Sequence, residues 1–371
     1  MLRDVLTSLP ESLSCIILRD WLSLKSVVTL NSAFCCISSR EMFLTLLESD
    51  EYFVCDRVTI ARCKSIVNVL HIIGSKLTSV QFGDDLSNSQ SRLLAAYCNN
   101  LTHVYYRGSS AKMKLQNVLR ANPFIEHLEL SNELYSPRNG RFINVPGFHK
   151  ISLRNLQSLT VYGFRDIDGE LQKATLGMNV VRLDLSNSRI LDTTLVKIGN
   201  LCPTLRCCGL ASTKICDDVL VEFTKNCPHI AHLDISYNPH ITDAGILGVV
   251  QNLRVLQSLN VSSMNTITNA SLQHIYTYCA GTLHTLHVYT TRHSVCALQG
   301  GSVVNNLLER CTNMRVLRTD LPCIFSQQAI CNLTTLVLEG NFVCLHNLTN
   351  IGKYCSLCYI CRDGTSLPMR V

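Results

Sequence analysis

Twelve copies of the pattern Leu-x-x-Leu-x-Leu, with Ile, Val or Met tolerated and another residue at the fourth or sixth position in five of them, begin at Leu77, Leu101, Ile125, Leu156, Val180, Leu205, Ile230, Leu256, Leu283, Met314, Leu333 and Leu357, and they predict an α/β solenoid. Two further observations bear on it: apolar positions at helical spacing lie between successive copies, and residues 1–50 do not fit the repeat and form something else. Most steps between copies are 24 to 27 residues, with 31-residue steps into Leu156 and Met314 and a 19-residue step into Leu333. A unit this short cannot bury its apolar face alone. Stacked neighbours must supply the core, with parallel strands on the concave side of a horseshoe and helices on its convex side.

Within one unit the strand comes first. In Leu183-Asp184-Leu185, Cys208-Gly209-Leu210, Leu233-Asp234-Ile235 and Leu259-Asn260-Val261, apolar residues alternate with polar or small ones, as a half-buried strand requires. Ile190, Ile215, Ile241 and Ile267 follow, each succeeded two residues later by Asp192, Asp217, Asp243 or Asn269, which are candidate helix N-caps. Leu195, Leu220, Ile246 and Leu272, then Ile198, Phe223, Val249 and Ile275, mark the buried stripe of a short helix. The pairs Cys202-Pro203 and Cys227-Pro228 end two of these helices, because Pro cannot continue one. Cys98, Cys202, Cys227 and Cys311 each stand three residues before the next strand pattern, which makes them core positions.

Ile241-Thr242-Asp243-Ala244-Gly245 after a strand, with Cys-Pro before the next, resembles the cysteine-containing class of leucine-rich repeats. The resemblance spans residues 77–362 and is most specific over 180–280, leaving 363–371 as a C-terminal tail.

Residues 5–48 form a different module. Leu9-Pro10-Glu11 precedes apolar Leu13, Ile16, Ile17, Trp21, Leu22, Leu24, Val27, Val28 and Leu30 at spacings that suit two or three short amphipathic helices, with Pro10 in a first turn. This order, ending in Ala33-Phe34-Cys35, resembles the F-box, although Ser38-Ser39-Arg40-Glu41-Met42 stands where that family carries a Trp. The resemblance implies docking on the Skp-type adaptor of a cullin-based ubiquitin ligase. Leu9 and Pro10 match the family's opening pair, Ile16 and Ile17 its first apolar helix, and Leu24, Val28 and Leu30 its second. The alternative is a helical cap over the first repeat, in an intracellular scaffold or effector with no ligase role. Residues 49–76 read as an irregular first repeat or cap under either alternative.

Composition narrows the function classes. With 47% hydrophobic and 16% charged residues over 371 positions, the chain is too apolar for disorder. The net charge of +6 comes without any Lys/Arg run, and one Trp offers no stacking platform, so nucleic acid is not the expected partner. The apolar stretch from Leu13 to Phe34 is broken by Arg19, Asp20 and Lys25, which suits neither a signal segment nor a membrane span. Twenty Cys read as buried hydrophobes of a reducing compartment, cytoplasm or nucleus, against Asn-x-Ser/Thr triplets at Asn100, Asn260, Asn269, Asn332 and Asn347 that would suit an extracellular chain.

No phosphate-binding Gly-x-x-x-x-Gly-Lys, no Gly-x-Ser-x-Gly and no His-Glu-x-x-His occurs, so neither enzyme activity nor a cofactor is expected. Cys355-x-x-Cys358-x-x-Cys361, with Cys344 or His346, has zinc-ligand spacing. Strand alternation competes with that reading by dispersing the sulfurs. The remaining candidate site is the concave face, where the third, fifth and seventh residues of each strand pattern point outward. It collects His103, Tyr105, Arg107, His127, Glu129, Arg182, Asp184, His232, Asp234, His287, Tyr289, Arg318 and Asp320. Tyr, Arg and His on a rigid sheet suit a protein or peptide partner. His127 with Glu129, and His232 with Asp234, could also pair as a base with its orienting carboxylate.

Overall fold

The computed structural model describes residues 41, 43–45, 58–59, 70–71, 73–83, 86–108, 114–132, 152–164, 168–173, 175–176, 179–289, 301–320, 332–339, 357–362 and 365–369. The F-box-like positions Leu9, Pro10, Ile16, Ile17, Leu24, Val28 and Leu30 lie outside them. The chain divides into two compact units, residues 1–177 and 178–371.

In the first unit, β1 (Val58–Thr59), β2 (Ser79–Gly83), β3 (His103–Arg107) and β4 (His127–Ser131) pair in parallel in that order, and β6 (Ser158–Tyr162) follows β4. Helices α1 (Asn88–Tyr97) and α2 (Lys114–Ala121) follow β2 and β3. Ser87 caps α1 reciprocally: its hydroxyl accepts from the Gln90 N–H at 3.2 Å, and the Gln90 side chain accepts from the Ser87 N–H at 2.9 Å. Two short strands flanking β6, β5 (Ser152–Leu153) and β7 (Thr175–Leu176), pair with each other in parallel, with α3 (Asp168–Lys173) between β6 and β7.

In the second unit, β8 (Arg182–Asp184), β9 (Cys207–Gly209), β10 (His232–Asp234), β11 (Ser258–Asn260), β12 (Thr285–Val288), β13 (Val316–Thr319), β14 (Thr335–Glu339) and β15 (Leu357–Arg362) form a parallel series, each beside the next. The helices are α4 (Asp192–Leu201), α5 (Asp217–Asn226), α6 (Asp243–Asn252), α7 (Asn269–Tyr278) and α8 (Gly301–Arg310). The segment read as a tail supplies β16 (Thr365–Met369), antiparallel to β15. β15 also enters in a different register from the one expected. Leu357 pairs with Thr335, the third residue of the preceding pattern, so the pattern's first position falls two residues ahead of Leu357.

The core is the ladder the periodicity requires. Leu77, Leu156, Val180, Leu205, Ile230, Leu256 and Leu283 are fully buried, as are Leu195, Leu220, Ile246, Phe223 and Val249 on the helices. Each such side chain contributes about 1.5–3 kcal/mol of burial. Cys98, Cys202, Cys227, Cys279 and Cys311 sit buried just past the helix C-termini, and the Cys227 thiol lies 3.5 Å from the Cys202 carbonyl oxygen. Buried amides staple repeat to repeat. Asn238 donates to the carbonyls of Leu210 at 2.8 Å and Ile235 at 2.9 Å, and accepts from the N–H groups of Thr213 and Lys214 at 3.1 and 2.7 Å.

The helix starts correct one sequence expectation. Asp192, Asp217, Asp243 and Asn269 are the first helical residues, not the caps; Leu191, Cys216, Thr242 and Thr268 occupy the cap position. The Thr242 and Thr268 hydroxyls accept from the N–H groups of Ala244 and Ala270 at 3.3 and 3.1 Å. This shift by one residue frees Asp217 and Asp243 to bond the neighbouring repeat.

Candidate functional site

Strand alternation decides which side chains reach the face of the sheet away from the core. On β3 the inward residues Val104 and Tyr106 are buried, while His103 and Tyr105 are half-buried and Arg107 exposed. Tyr106 packs edge-on against Phe82 on the core side, with ring centroids 5.7 Å apart. On the outer side, the parallel register sets His103 beside His127, Tyr105 beside Glu129 and Arg107 beside Ser131.

The His103 and His127 rings are stacked, 4.2 Å between centroids and 15° from parallel, and His103 Nδ1 lies 2.9 Å from the Thr102 hydroxyl. Arg107 reaches diagonally to Glu129 at 3.7 Å. His127 and Glu129 thus share a face, as expected, but Glu129 is engaged by Arg107. Two near-parallel imidazoles offer flat aromatic surface, since their in-plane lone pairs do not converge on one point.

In the second unit Arg182, Cys207, His232, Ser258 and Thr285 form one row across β8 to β12, and Asp184, Gly209, Asp234, Asn260 and His287 form the next. Arg182 and His232 are exposed; Leu233, on the opposite side of the strand from His232, is buried. The acidic row is turned into the strand ends. The Asp184 carboxylate accepts from the Ser186 N–H at 2.9 Å, and a Cβ at Gly209 opposite it would lie 2.5 Å from Asp184 Oδ1, so a larger residue there would displace that carboxylate. Asp234 accepts from the Ser236 N–H at 3.0 Å, the Ser236 hydroxyl at 2.6 Å and the Asn260 amide at 2.9 Å. Farther along, the Arg318 guanidinium lies over the Tyr289 ring, 5.0 Å from its centroid. His287 pairs in register with Arg318, and Asp320 follows β13 directly, half-buried.

Several residues of this side were not among the sequence candidates. Cys207, half-exposed and in register between Arg182 and His232, is the third residue of its strand pattern. Tyr237, 48% exposed, and the exposed Arg189, Lys214 and His240 sit in the turns after the strands, where alternation gives no signal.

Among the described residues no three His, Cys, Asp or Glu gather as a metal site. Cys358 takes the register of Leu336 and Cys361 that of Glu339, which sets these two positions on opposite faces of the strand; Cys344, His346 and Cys355 lie outside the described residues. No described helix is long and apolar enough to cross a membrane.

No family model matches the sequence, and no curated protein matches it. Several solved structures are similar to it at low identity. The crystal structure of the Rad7 and Elc1 complex in yeast has 14% identity, covering 93% of this chain and 91% of that one with a TM-score of 0.48. A TLR13–ssRNA13 complex has 17% identity over 80% of this chain and 41% of that one, TM-score 0.49. The Drosophila Toll–Spatzle complex has 15% identity over 77% of this chain and 37% of that one, TM-score 0.43. By its own geometry, a parallel strand, a left-handed turn and a short helix repeated around a leucine ladder, the chain is a leucine-rich-repeat solenoid.

Proposed function

We propose that this chain is a non-catalytic substrate-recognition subunit of a cullin-type ubiquitin ligase. Residues 5–48 dock on a Skp-type adaptor through Leu9, Pro10, Ile16, Ile17, Leu24, Val28 and Leu30, and the repeats hold a protein target. The observation that carries the reading is the F-box-like order of residues directly ahead of the repeat array. The receptor makes no bond itself. Its contribution is proximity, holding a target lysine near a ubiquitin-charged enzyme. Such a role belongs in the cytoplasm or nucleus, where the many free thiols suit a reducing medium.

Co-expression of the full chain with the adaptor tests this. Stable co-purification is expected, with loss on Leu9→Asp while the variant still unfolds cooperatively. An intact, folded chain that fails to bind the adaptor overturns the proposal. That outcome would favour the scaffold reading, which draws support from Ser38 to Met42 standing where the F-box family carries a Trp.

A further inference from the structure

The turns that follow β8, β9 and β10 carry an unusual set of side chains. Arg189 and Lys214 occupy the same place in successive repeats, nine residues after the pattern starts Val180 and Leu205, and His240 lies in the next turn; all three are exposed. On the adjoining strand face stand Arg182 and His232, in register with Cys207 between them. Among the described residues none of these five cationic or titratable side chains makes a hydrogen bond or an ion pair.

The carboxylates nearby make no ion pair with these side chains among the described residues. Asp184 and Asp234 are turned to strand-end donors, and Asp217 and Asp243 to the threonines of the following repeats. Asp192 and Asp218 are exposed, but they stand at the helix starts beyond the turns.

Tyr237 is the second observation. Asn187 (φ 58°), Ser212 (φ 57°), Tyr237 (φ 58°) and Ser263 (φ 58°) each adopt the left-handed conformation at this turn, and Lys214 (φ 65°) does so two residues after Ser212. Asn and Ser tolerate that region; a bulky aromatic is held there against its own preference. The Tyr237 N–H donates to the Ser262 carbonyl of the next repeat at 3.0 Å, which holds the backbone, while the side chain stays 48% exposed. An exposed aromatic kept in a strained turn and flanked by unpaired cations has the character of a binding anchor.

We infer that Arg182, Arg189, Lys214, His232, Tyr237 and His240 form a surface that binds a short acidic segment of a protein partner. This specifies the partner chemistry of the repeat face and rests on the protein-binding half of the reading above, not on its adaptor half. Three adjacent strands span about 10 Å, the reach of about three or four extended residues, so the recognised element is an acidic motif of that length.

The probe is a fluorescein-labelled twelve-residue peptide of Glu and Ala, titrated with the full chain and followed by anisotropy. Saturable binding that weakens with salt is expected, with no binding of the Gln/Ala counterpart. Lys214→Glu and Arg189→Glu should each weaken it about fivefold or more, whereas Lys225→Glu, at the exposed end of α5, should leave it unchanged. Tyr237→Asn relieves the backbone, so it should bind about fivefold more weakly while unfolding at the same or higher temperature. Three results each overturn the inference: no binding of the acidic peptide, an equal loss with Lys225→Glu, or tighter binding of a dT12 oligonucleotide that responds to the same variants. Adaptor co-purification in parallel separates the two readings, since loss of peptide binding with adaptor binding intact removes only this one.

Discussion

Asp217 and Thr242 are joined by two hydrogen bonds across 25 residues of sequence: the Thr242 N–H donates to Asp217 Oδ1 at 2.8 Å and its hydroxyl to Oδ2 at 2.6 Å. The next repeat repeats the bond, with Thr268 donating its N–H and hydroxyl to Asp243 at 2.8 and 2.7 Å. A threonine that caps its own helix thereby also fastens it to the helix before.

The same contact explains a glycine. A Cβ at Gly245 would lie 2.1 Å from Asp217 Oδ1, so the last residue of Ile-Thr-Asp-Ala-Gly leaves room for the carboxylate of the preceding repeat. Gly245→Ala should displace Asp217 and lower stability by about 1–3 kcal/mol, and Thr242→Val should cost a similar amount by leaving a part-buried carboxylate with fewer donors. In the Asp217→Ala background the Gly245→Ala penalty should shrink, which a double-mutant cycle in urea measures.

Acid should loosen the same seam. Burial pushes the Asp243 carboxyl up, but hydrogen bonds from Ser271 and Thr268 outweigh it and hold the group below its ordinary 3.8. Because the folded value is lowered, this stabilisation is present above the ordinary value and is lost as pH falls through the folded one. Denaturation midpoints measured between about pH 5 and pH 2 should fall less steeply for Asp243→Asn than for the parent chain.

The cysteine ladder makes the opposite prediction in base. Burial pushes the thiols of Cys202 and Cys279 up to about 11, and those of Cys98, Cys227 and Cys311 up to about 12, from 9.0. The unfolded chain releases these protons first, so stability is full below the ordinary thiol value and declines as pH rises through the folded ones. Iodoacetamide at neutral pH should leave these five unmodified by mass spectrometry until the chain unfolds. Cys202→Ala or Cys227→Ala should cost about 1–3 kcal/mol through the cavity left behind, visible as faster amide exchange over residues 180–260.

A last pair of variants checks the face assignment. Leu233 is 2% exposed and His232 is its exposed neighbour on the same strand, so Leu233→Ala should cost about 2–5 kcal/mol and His232→Ala no more than about 0.5. Thermal denaturation of the two separates them, and the reverse order would mean that every outward residue is misassigned.

The repeat was legible in the sequence because its cause is local and recurrent. Burial demands an apolar side chain at the same few places in every unit, so Leu205, Ile230 and Leu256 reveal the period, and Leu233 against His232 reveals the strand face. Which outward polar groups are available was not legible, because their partners lie one repeat away or at the strand's own end. Asp184 and Arg182 look alike as alternating polar residues, yet one is bound to the Ser186 N–H and the other points outward unbound. The aspartates' shift from cap to first helical residue, the register of β15 and the strained Tyr237 turn are likewise settled by hydrogen bonds and backbone angles formed only once neighbouring repeats stack. The sequence determined the solenoid through its hydrophobic period; the stacked structure decided which side chains remain free to bind, since hydrogen-bond partners are assigned by proximity in space.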